Sequence, residues 1–113
     1  MLDETAYPDV SVVIPCYNEE ECVPLLMNRL QEVFEELPVY SYECVFVNDG
    51  STDATGEHLK ELHAADPRVR PLSLIQNMGQ SAALVAGMRH ARGQYIITLD
   101  ADLQNDPCDI PRI

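Results

Sequence analysis

Residues 10–19 decide the fold and read Val-Ser-Val-Val-Ile-Pro-Cys-Tyr-Asn-Glu. The β-branched run at 10–14 predicts a short buried strand, because Val and Ile pack well on a pleated sheet. Pro15 is expected to end that strand, since proline cannot donate a hydrogen bond to a neighbouring strand. The polar residues that follow predict a loop that leaves the sheet at the carboxyl end of the strand.

The alternation of strand and helix continues along the chain. An apolar stripe with helical spacing predicts a first helix from about Pro24 to Leu37. Further segments are predicted as a strand at 42–47, a helix at about 53–65, an apolar strand at 69–75, an Ala-rich helix ending near residue 90 and a strand at 95–99. We expect Thr52 or Asp53 to be the N-cap of the second helix, and Gly93 to be the C-cap of the third. The order β-α-β-α-β-α-β is typical of an α/β fold, with a mostly parallel sheet and helices on both faces.

Length and charge limit the class of protein. The chain has 113 residues, and we expect a single domain over residues 1–113. The last motif opens a helix that is not completed by Ile113, so this domain is expected to be a truncated part of a longer protein. A formal net charge of −12 excludes nucleic acid as an expected partner, because its phosphates would be repelled. No apolar stretch approaches the roughly 20 residues of a membrane helix, and no signal peptide is recognisable, so a cytoplasmic location is expected.

Polar side chains follow each predicted strand at its carboxyl end, where ligands bind in open α/β sheets. The four segments are residues 15–19, 48–51, 76–79 and 100–102. Parallel strands end at the same edge of a sheet, so these segments are expected to lie together. Their convergence predicts one ligand site built from all four.

Asp100 and Asp102 are candidate metal ligands. Two carboxylates this close repel each other unless a cation or a proton lies between them. Mg²⁺ and Mn²⁺ prefer oxygen ligands, and Gln104 could supply another oxygen. Alternatively, the aspartates cap the following turn, and the spacing alone leaves both interpretations open. The sequence contains neither G-x-G-x-x-G nor a P-loop motif, so bound phosphates would favour such a cation.

Three more groups of residues are candidates for binding a ligand. Asp49 can accept hydrogen bonds from a ribose hydroxyl or a base N–H, or it can simply form an Asp-Gly turn. Tyr17 could stack on a base and Glu19 could hold a sugar or base edge, with loop packing as the alternative. Asn77 and Gly79 precede a helix N-terminus, which is a natural site for an anion or polar ligand, although capping alone would also explain them.

Together these motifs resemble those of family 2 glycosyltransferases with the GT-A fold. The branch that they resemble most acts on polyprenyl phosphates, as dolichol-phosphate mannose synthases and undecaprenyl-phosphate glycosyltransferases do. The matching stretches are Val-Val-Ile-Pro-Cys-Tyr-Asn-Glu-Glu at 12–20, Val-Asn-Asp-Gly-Ser-Thr-Asp at 47–53, Asn-Met-Gly at 77–79 and Asp-Ala-Asp-Leu-Gln at 100–104. The resemblance implies the Rossmann-like, nucleotide-sugar-binding half of a GT-A domain.

The resemblance also implies a role for each matching residue. The residues that would line the nucleotide pocket or contact the base and ribose are Pro15, Tyr17, Glu19, Val47 and Asp49. The D-x-D motif would be Asp100-Ala101-Asp102. The metal would be held chiefly by Asp102, with Gln104 and Asp100. Asn48 stands where many members have a second aspartate, which puts in doubt any role that needs a carboxylate there.

The implied reaction is the inverting transfer of a sugar from a UDP- or GDP-sugar to a lipid-phosphate acceptor. Mg²⁺ or Mn²⁺ would stabilise the departing nucleoside diphosphate. In this family the acceptor-binding loop and any catalytic base follow the D-x-D motif. The chain alone is therefore expected to be inactive, and the full-length protein is expected at the cytoplasmic face of a membrane.

Two further points concern partners and alternatives. The fourth strand is expected to expose an apolar edge, which predicts a homodimer through that edge. A non-catalytic nucleotide- or metal-binding α/β module remains an alternative function. So does an α/β domain whose acidic strand ends bind nothing.

Overall fold

A computed structural model describes residues 7–99, which form one parallel sheet with a helix between successive strands. The strands are β1 (Val10–Cys16), β2 (Tyr42–Asn48), β3 (Val69–Ser73) and β4 (Tyr95–Thr98). The helices are α1 (Cys22–Glu35), α2 (Thr55–Ala65) and α3 (Gln80–His90). The predicted order of elements is confirmed, with boundaries one or two residues from the expected ones. None of these three helices is long and apolar enough to cross a membrane.

β1 lies in the middle of the sheet, whose strand order is β3-β2-β1-β4. All three pairs of neighbouring strands run parallel, as predicted. Every residue of β1 and β2 is buried, whereas β4 is exposed along its length. The chain moves outward from β1 to β3 and then returns to the other side of β1. This reversal makes the carboxyl end of β1 the topological switch point, where ligands bind in such sheets.

Pro15 lies inside β1, so the prediction that it ends the strand is wrong. It pairs with Val47 of β2 in the register of the sheet. The carbonyl of Val13 accepts a hydrogen bond from Leu99 on the β4 side, and Pro15, two residues further along, faces the same side. The last residue of β4, Thr98, is opposite Val13. The missing N–H of Pro15 comes directly after the Leu99–Val13 bond, so proline lies where the observed pairing with β4 ends.

The core has a layer on each face of the sheet. Val12 and Ile14 of β1 belong to one cluster, which also contains Leu30 of α1 and Leu59 of α2. Val13 belongs to the other, which contains Ala83 of α3 and its partly buried neighbours. Successive strand residues point to opposite faces, so the apolar run at 10–14 supplies both layers. The expected helices on both faces are confirmed.

Two predicted helix caps differ from the observed ones. The N-cap of α2 is Ala54, not Thr52 or Asp53, although Asp53 Oδ1 accepts the backbone N–H of Thr55 at 2.9 Å. The C-cap of α3 is Ala91 rather than Gly93. Gly93 crosses close to β1, where an added Cβ would lie 2.6 Å from the backbone nitrogen of Ser11. Close packing, not a left-handed helix end, accounts for glycine at this position.

A buried carboxylate ties the amino-terminal halves of the strands to the segment before β4. Glu43 of β2 is 2% exposed and accepts hydrogen bonds from Ser11 Oγ at 2.5 Å and Arg70 Nη1 at 2.7 Å. It also accepts the backbone N–H of Arg92 at 2.8 Å and bonds from the Arg92 guanidinium. Burial alone would raise the pKa of Glu43, but these hydrogen bonds outweigh it and hold the pKa below its ordinary value. Glu43 therefore stays ionised and fixes where β4 enters the sheet.

Candidate functional site

The carboxyl ends of β1 and β2 and the connection between β3 and α3 surround a cavity of about 200 Å³. Its lining residues are Pro15, Cys16, Tyr17, Glu19, Asp49, Asn77, Gly79 and Gln80. The structure thus brings together the predicted site residues of three separate segments. Cys16 and Gln80 were not predicted, although each adjoins a predicted residue in sequence.

Val47 takes a different position from these residues. Its side chain is fully buried and packs in the cluster beneath α3. It is not among the lining residues of the cavity. Its predicted contact with a base or ribose gains no support from this geometry and stays a prediction.

Asp49 joins the three segments through hydrogen bonds. It is 4% exposed, and its backbone N–H donates to the carbonyl of Cys16 at 2.8 Å. Oδ1 accepts the backbone N–H of Met78 at 2.7 Å, and Oδ2 accepts that of Gly79 at 3.0 Å. A carboxylate offers about four acceptor positions, so Asp49 can still accept a bond from a ligand. Its first role in this structure is nevertheless to hold the loop that precedes α3.

The N-terminus of α3 is therefore less open to an anion than the sequence suggests. The N–H of Gly79 donates both to Asp49 and to Asn77 Oδ1, the latter at 3.1 Å. The protein's own carboxylate thus lies where a ligand phosphate was a candidate. Asn77 and Gly79 line the cavity and form the start of the helix, while their binding of a ligand stays a prediction.

Gly50 lets the β2–α2 loop lie directly against the β3–α3 loop. Its φ of +70° is in the left-handed region, and an added Cβ would lie 2.5 Å from the nitrogen of Asn77. A second backbone atom, the carbonyl carbon of Gln76, would lie 2.6 Å away. Only glycine satisfies both the conformation and the contact.

The β1–α1 loop is held against the β2–α2 loop by bonds that sequence reasoning missed. The backbone N–H of Glu20 donates to Asp53 Oδ2 at 3.3 Å, and Glu20 Oε2 accepts the N–H of Ala54 at 3.2 Å. Glu20 therefore joins the two loops through both its backbone and its side chain. The available signal was the composition of residues 48–55, because Ser, Thr, Asn and Asp side chains readily bond to nearby backbone.

The predicted metal-binding motif follows β4 in sequence. The backbone N–H of Leu99 donates to the carbonyl of Val13 at 3.0 Å, so residue 99 is still beside β1. β4 is parallel to β1, and its carboxyl end faces the edge that carries the cavity. Four of the predicted site residues, Asp100, Ala101, Asp102 and Gln104, lie outside the described residues. Within residues 7–99, no group of three His, Cys, Asp or Glu could hold a metal ion.

A larger cavity, of about 600 Å³, lies at the opposite end of the sheet. Two of its lining residues are Arg68 and Arg92, which pair with Asp66 and Glu43 respectively. Their charges already have partners, and the amino ends of parallel strands are not where open α/β sheets bind ligands. Of these two cavities, the smaller one, which also gathers predicted site residues from three segments, is therefore the candidate site.

Comparison with known proteins gives one family and a consistent set of relatives. Residues 11–113 match the family described as Glycosyl transferase family 2. The chain is 48% identical over 101 residues to the prophage bactoprenol glucosyl transferase homolog of Escherichia coli (strain K12), covering 89% of this chain and 32% of that protein. It is 44% identical over 114 residues to the undecaprenyl-phosphate 4-deoxy-4-formamido-L-arabinose transferase of Salmonella choleraesuis (strain SC-B67), covering 100% of this chain and 35% of that protein. The chain thus spans about a third of the length of these relatives.

Solved structures agree with the fold. S. aureus TarS (1–349) in complex with UDP superposes with a TM-score of 0.70 at 26% identity, over 83% of this chain and 27% of that one. The mannosyltransferase PcManGT from Pyrobaculum calidifontis, in complex with GDP-Man and Mn²⁺, has a TM-score of 0.62 at 28% identity, over 85% of this chain and 28% of that one. The α/β fold class expected from the sequence is confirmed.

Proposed function

Because this chain belongs to glycosyl transferase family 2, we propose that it forms the nucleotide-sugar-binding part of an inverting glycosyltransferase. The donor is a UDP- or GDP-sugar, and the acceptor is a polyprenyl phosphate. The observation that carries the proposal is the cavity at the carboxyl ends of β1 and β2, where Tyr17, Glu19, Asp49 and Gly79 meet. Similar solved structures hold UDP or GDP-Man, which supports a nucleotide-sugar as the ligand.

The lining of the cavity indicates how a base and ribose are held. Tyr17 is 44% exposed, so its ring is available for stacking on a base. Asp49 keeps acceptor positions for a ribose hydroxyl or a base N–H after bonding Met78 and Gly79. Glu19 is fixed from its backbone, whose N–H donates to Thr55 Oγ1 at 2.9 Å. These groups bind and orient the donor, while the reacting sugar extends from them.

The charge of the cavity favours a divalent cation as cofactor. Its lining contains the carboxylates of Glu19 and Asp49, and no Lys, Arg or His is among the described residues that line it. A diphosphate bound beside these carboxylates needs a positive charge from elsewhere. Asp102, Gln104 and Asp100 form an oxygen-only donor set, which fits Mg²⁺ or Mn²⁺. That ion supplies Lewis-acid stabilisation of the leaving diphosphate, and one similar structure contains Mn²⁺.

The acceptor is inferred from the relatives. One is a bactoprenol glucosyl transferase homolog, and another is an undecaprenyl-phosphate transferase. A lipid acceptor places the site at a membrane surface, and we propose its cytoplasmic face. Since the chain spans about a third of these relatives, it is expected to bind donor weakly by itself and not to transfer sugar.

Calorimetric titration of UDP and GDP, with and without Mn²⁺, tests this function. The wild-type chain is compared with Asp102→Ala and with Asp109→Ala, a control that removes a carboxylate outside the motif. The proposal predicts Mn²⁺-dependent binding that is lost in Asp102→Ala and kept in Asp109→Ala. Binding of the same strength in all three variants, or without Mn²⁺, would contradict the assigned metal site.

A further inference from the structure

Asn18 has an unusual backbone conformation beside the cavity. Its φ is +53°, and it is the one residue other than glycine with positive φ in the described part of the chain. The left-handed region is unfavourable for residues with a side chain, although Asn tolerates it better than most. Such conformations persist where the surrounding structure fixes them, and they cluster at functional sites.

Three hydrogen bonds to the β2–α2 loop fix Asn18, and one of them runs from the Thr52 hydroxyl to Asn18 Oδ1 at 3.4 Å. Its backbone N–H donates to Ser51 Oγ at 3.0 Å. Its side-chain Oδ1 accepts the backbone N–H of Thr52 at 2.8 Å. Each bond joins residues more than 30 positions apart, so together they lock the β1–α1 loop to the neighbouring loop.

The residues on either side of Asn18 both line the cavity, while Asn18 itself does not. Tyr17 precedes it, and Glu19 follows it. The N–H of Glu19 donates to Thr55 Oγ1, and Thr55 is fully buried. The hydroxyl of Thr55 in turn donates to Asp53 Oδ1 at 2.5 Å. Thr55, which accepts the hydrogen bond from this loop, is therefore itself held in place by Asp53.

Building on the nucleotide site proposed above, we propose that Asn18 is a positioning residue for nucleotide binding. It fixes the turn between Tyr17 and Glu19 and couples that turn to the β2–α2 loop. The two lining side chains are then in place before a ligand arrives, which removes the cost of ordering them on binding. Asn18 acts through its neighbours and does not touch the nucleotide.

Three substitutions separate the backbone conformation from the side-chain bond. Asn18→Ala removes Oδ1 and disfavours the positive φ. Asn18→Gly also removes Oδ1 but allows that φ. Asn18→Asp keeps an acceptor oxygen and much of the conformational tolerance. Asn28→Ala, on the exposed surface of α1, is the matched control.

The first measurement is nucleotide affinity by calorimetry at a temperature where every variant is folded. Asn18→Ala is expected to bind UDP or GDP about tenfold more weakly than wild type, roughly the effect of losing one hydrogen bond. Asn18→Gly is expected to lie between the two, and Asn28→Ala to match wild type. Equal affinity of Asn18→Ala and wild type would overturn the proposal.

The second measurement, backbone amide hydrogen exchange, needs no nucleotide. Asn18→Ala is expected to speed exchange at Thr52 and also at Glu19 and Glu20, whereas Asn18→Asp keeps their protection. Faster exchange at Thr52 alone would show that Asn18 does not organise its own loop, and the proposal would fail. If the wild-type chain binds neither nucleotide, the proposed function fails while this measurement still decides the role of Asn18.

Discussion

The carboxylate of Asp49 accepts the backbone N–H of Gly79 at 3.0 Å, although the two residues are 30 positions apart. Asp49 directly follows β2, and Gly79 is the N-cap of α3 at the end of the β3–α3 loop. The bond therefore holds two walls of the candidate cavity at a fixed separation. A residue expected to contact the ligand also builds the site that receives it.

Asp49→Asn is expected to destabilise the chain by about 1–3 kcal/mol. Asparagine has one acceptor oxygen, so its amide N–H₂ would face the N–H of either Met78 or Gly79, and one bond would be lost. Urea unfolding measures the free energy, with Glu32→Gln at an exposed position of α1 as the control. A free energy of unfolding equal to that of wild type would show that the two bonds contribute nothing to the fold.

Gly50→Ala and Gly79→Ala form a matched pair. Both glycines have positive φ, but an added Cβ at Gly50 would meet backbone of the β3–α3 loop, whereas at Gly79 it would meet nothing within 4 Å. Gly79→Ala is expected to reduce the free energy of unfolding by about 1–3 kcal/mol from conformation alone, and Gly50→Ala is expected to reduce it by more. If urea unfolding showed the same loss of free energy of unfolding for both variants, the close approach of the two loops would not be maintained in solution.

Glu43→Gln tests the buried charge through its pH dependence. The folded-state pKa of Glu43 lies below the ordinary value of 4.5, so its contribution to stability is complete above that value. It is lost as pH falls through the folded-state pKa. Wild type is expected to exceed Glu43→Gln in free energy of unfolding at pH 7, by about 1–3 kcal/mol, with the difference shrinking below pH 4.5. A difference that stays constant down to pH 3 would indicate that the carboxylate charge is not involved.

Self-association through β4 is expected. Tyr95, Ile96 and Ile97 are all exposed, and among the described strands β4 pairs only with β1. An exposed apolar edge favours pairing with a second copy. Sedimentation velocity should show dimers that increase with concentration and are abolished by Ile96→Lys. Val39→Lys, at a loop residue that is 80% exposed, is the control, and a wild-type chain that stays monomeric at high concentration would refute the prediction.

The sequence predicts the strands and helices well because the apolar runs and helical stripes are local signals. The predictions for Pro15 and Gly93 are wrong because both positions depend on residues distant in sequence. Pro15 is tolerated inside β1 because the pairing with β4 ends there, and Gly93 is required because the chain passes close to Ser11. The order in which strands pair has no local signal either.

In the candidate site too, some features can be predicted from local sequence and others cannot. Tyr17, Asp49 and Gly79 can be predicted, because each follows a strand and parallel strands end at one edge. The bonds that Thr52 donates to Asn18 and that Met78 donates to Asp49 cannot be predicted, since they join loops whose backbone paths are set only after the sheet has formed. Sequence therefore indicates which residues meet, but not that some of them hold one another.

The most direct test of the central claim is a backbone amide shift map of the 113-residue chain, recorded by NMR during titration with UDP and with GDP in the presence of Mg²⁺. Binding at the carboxyl ends of the strands predicts shifts at Tyr17, Asp49 and Gly79, with none at Arg68 beside the larger cavity. Shifts centred on Arg68, with Tyr17 and Gly79 unchanged, would contradict the assignment of the nucleotide site.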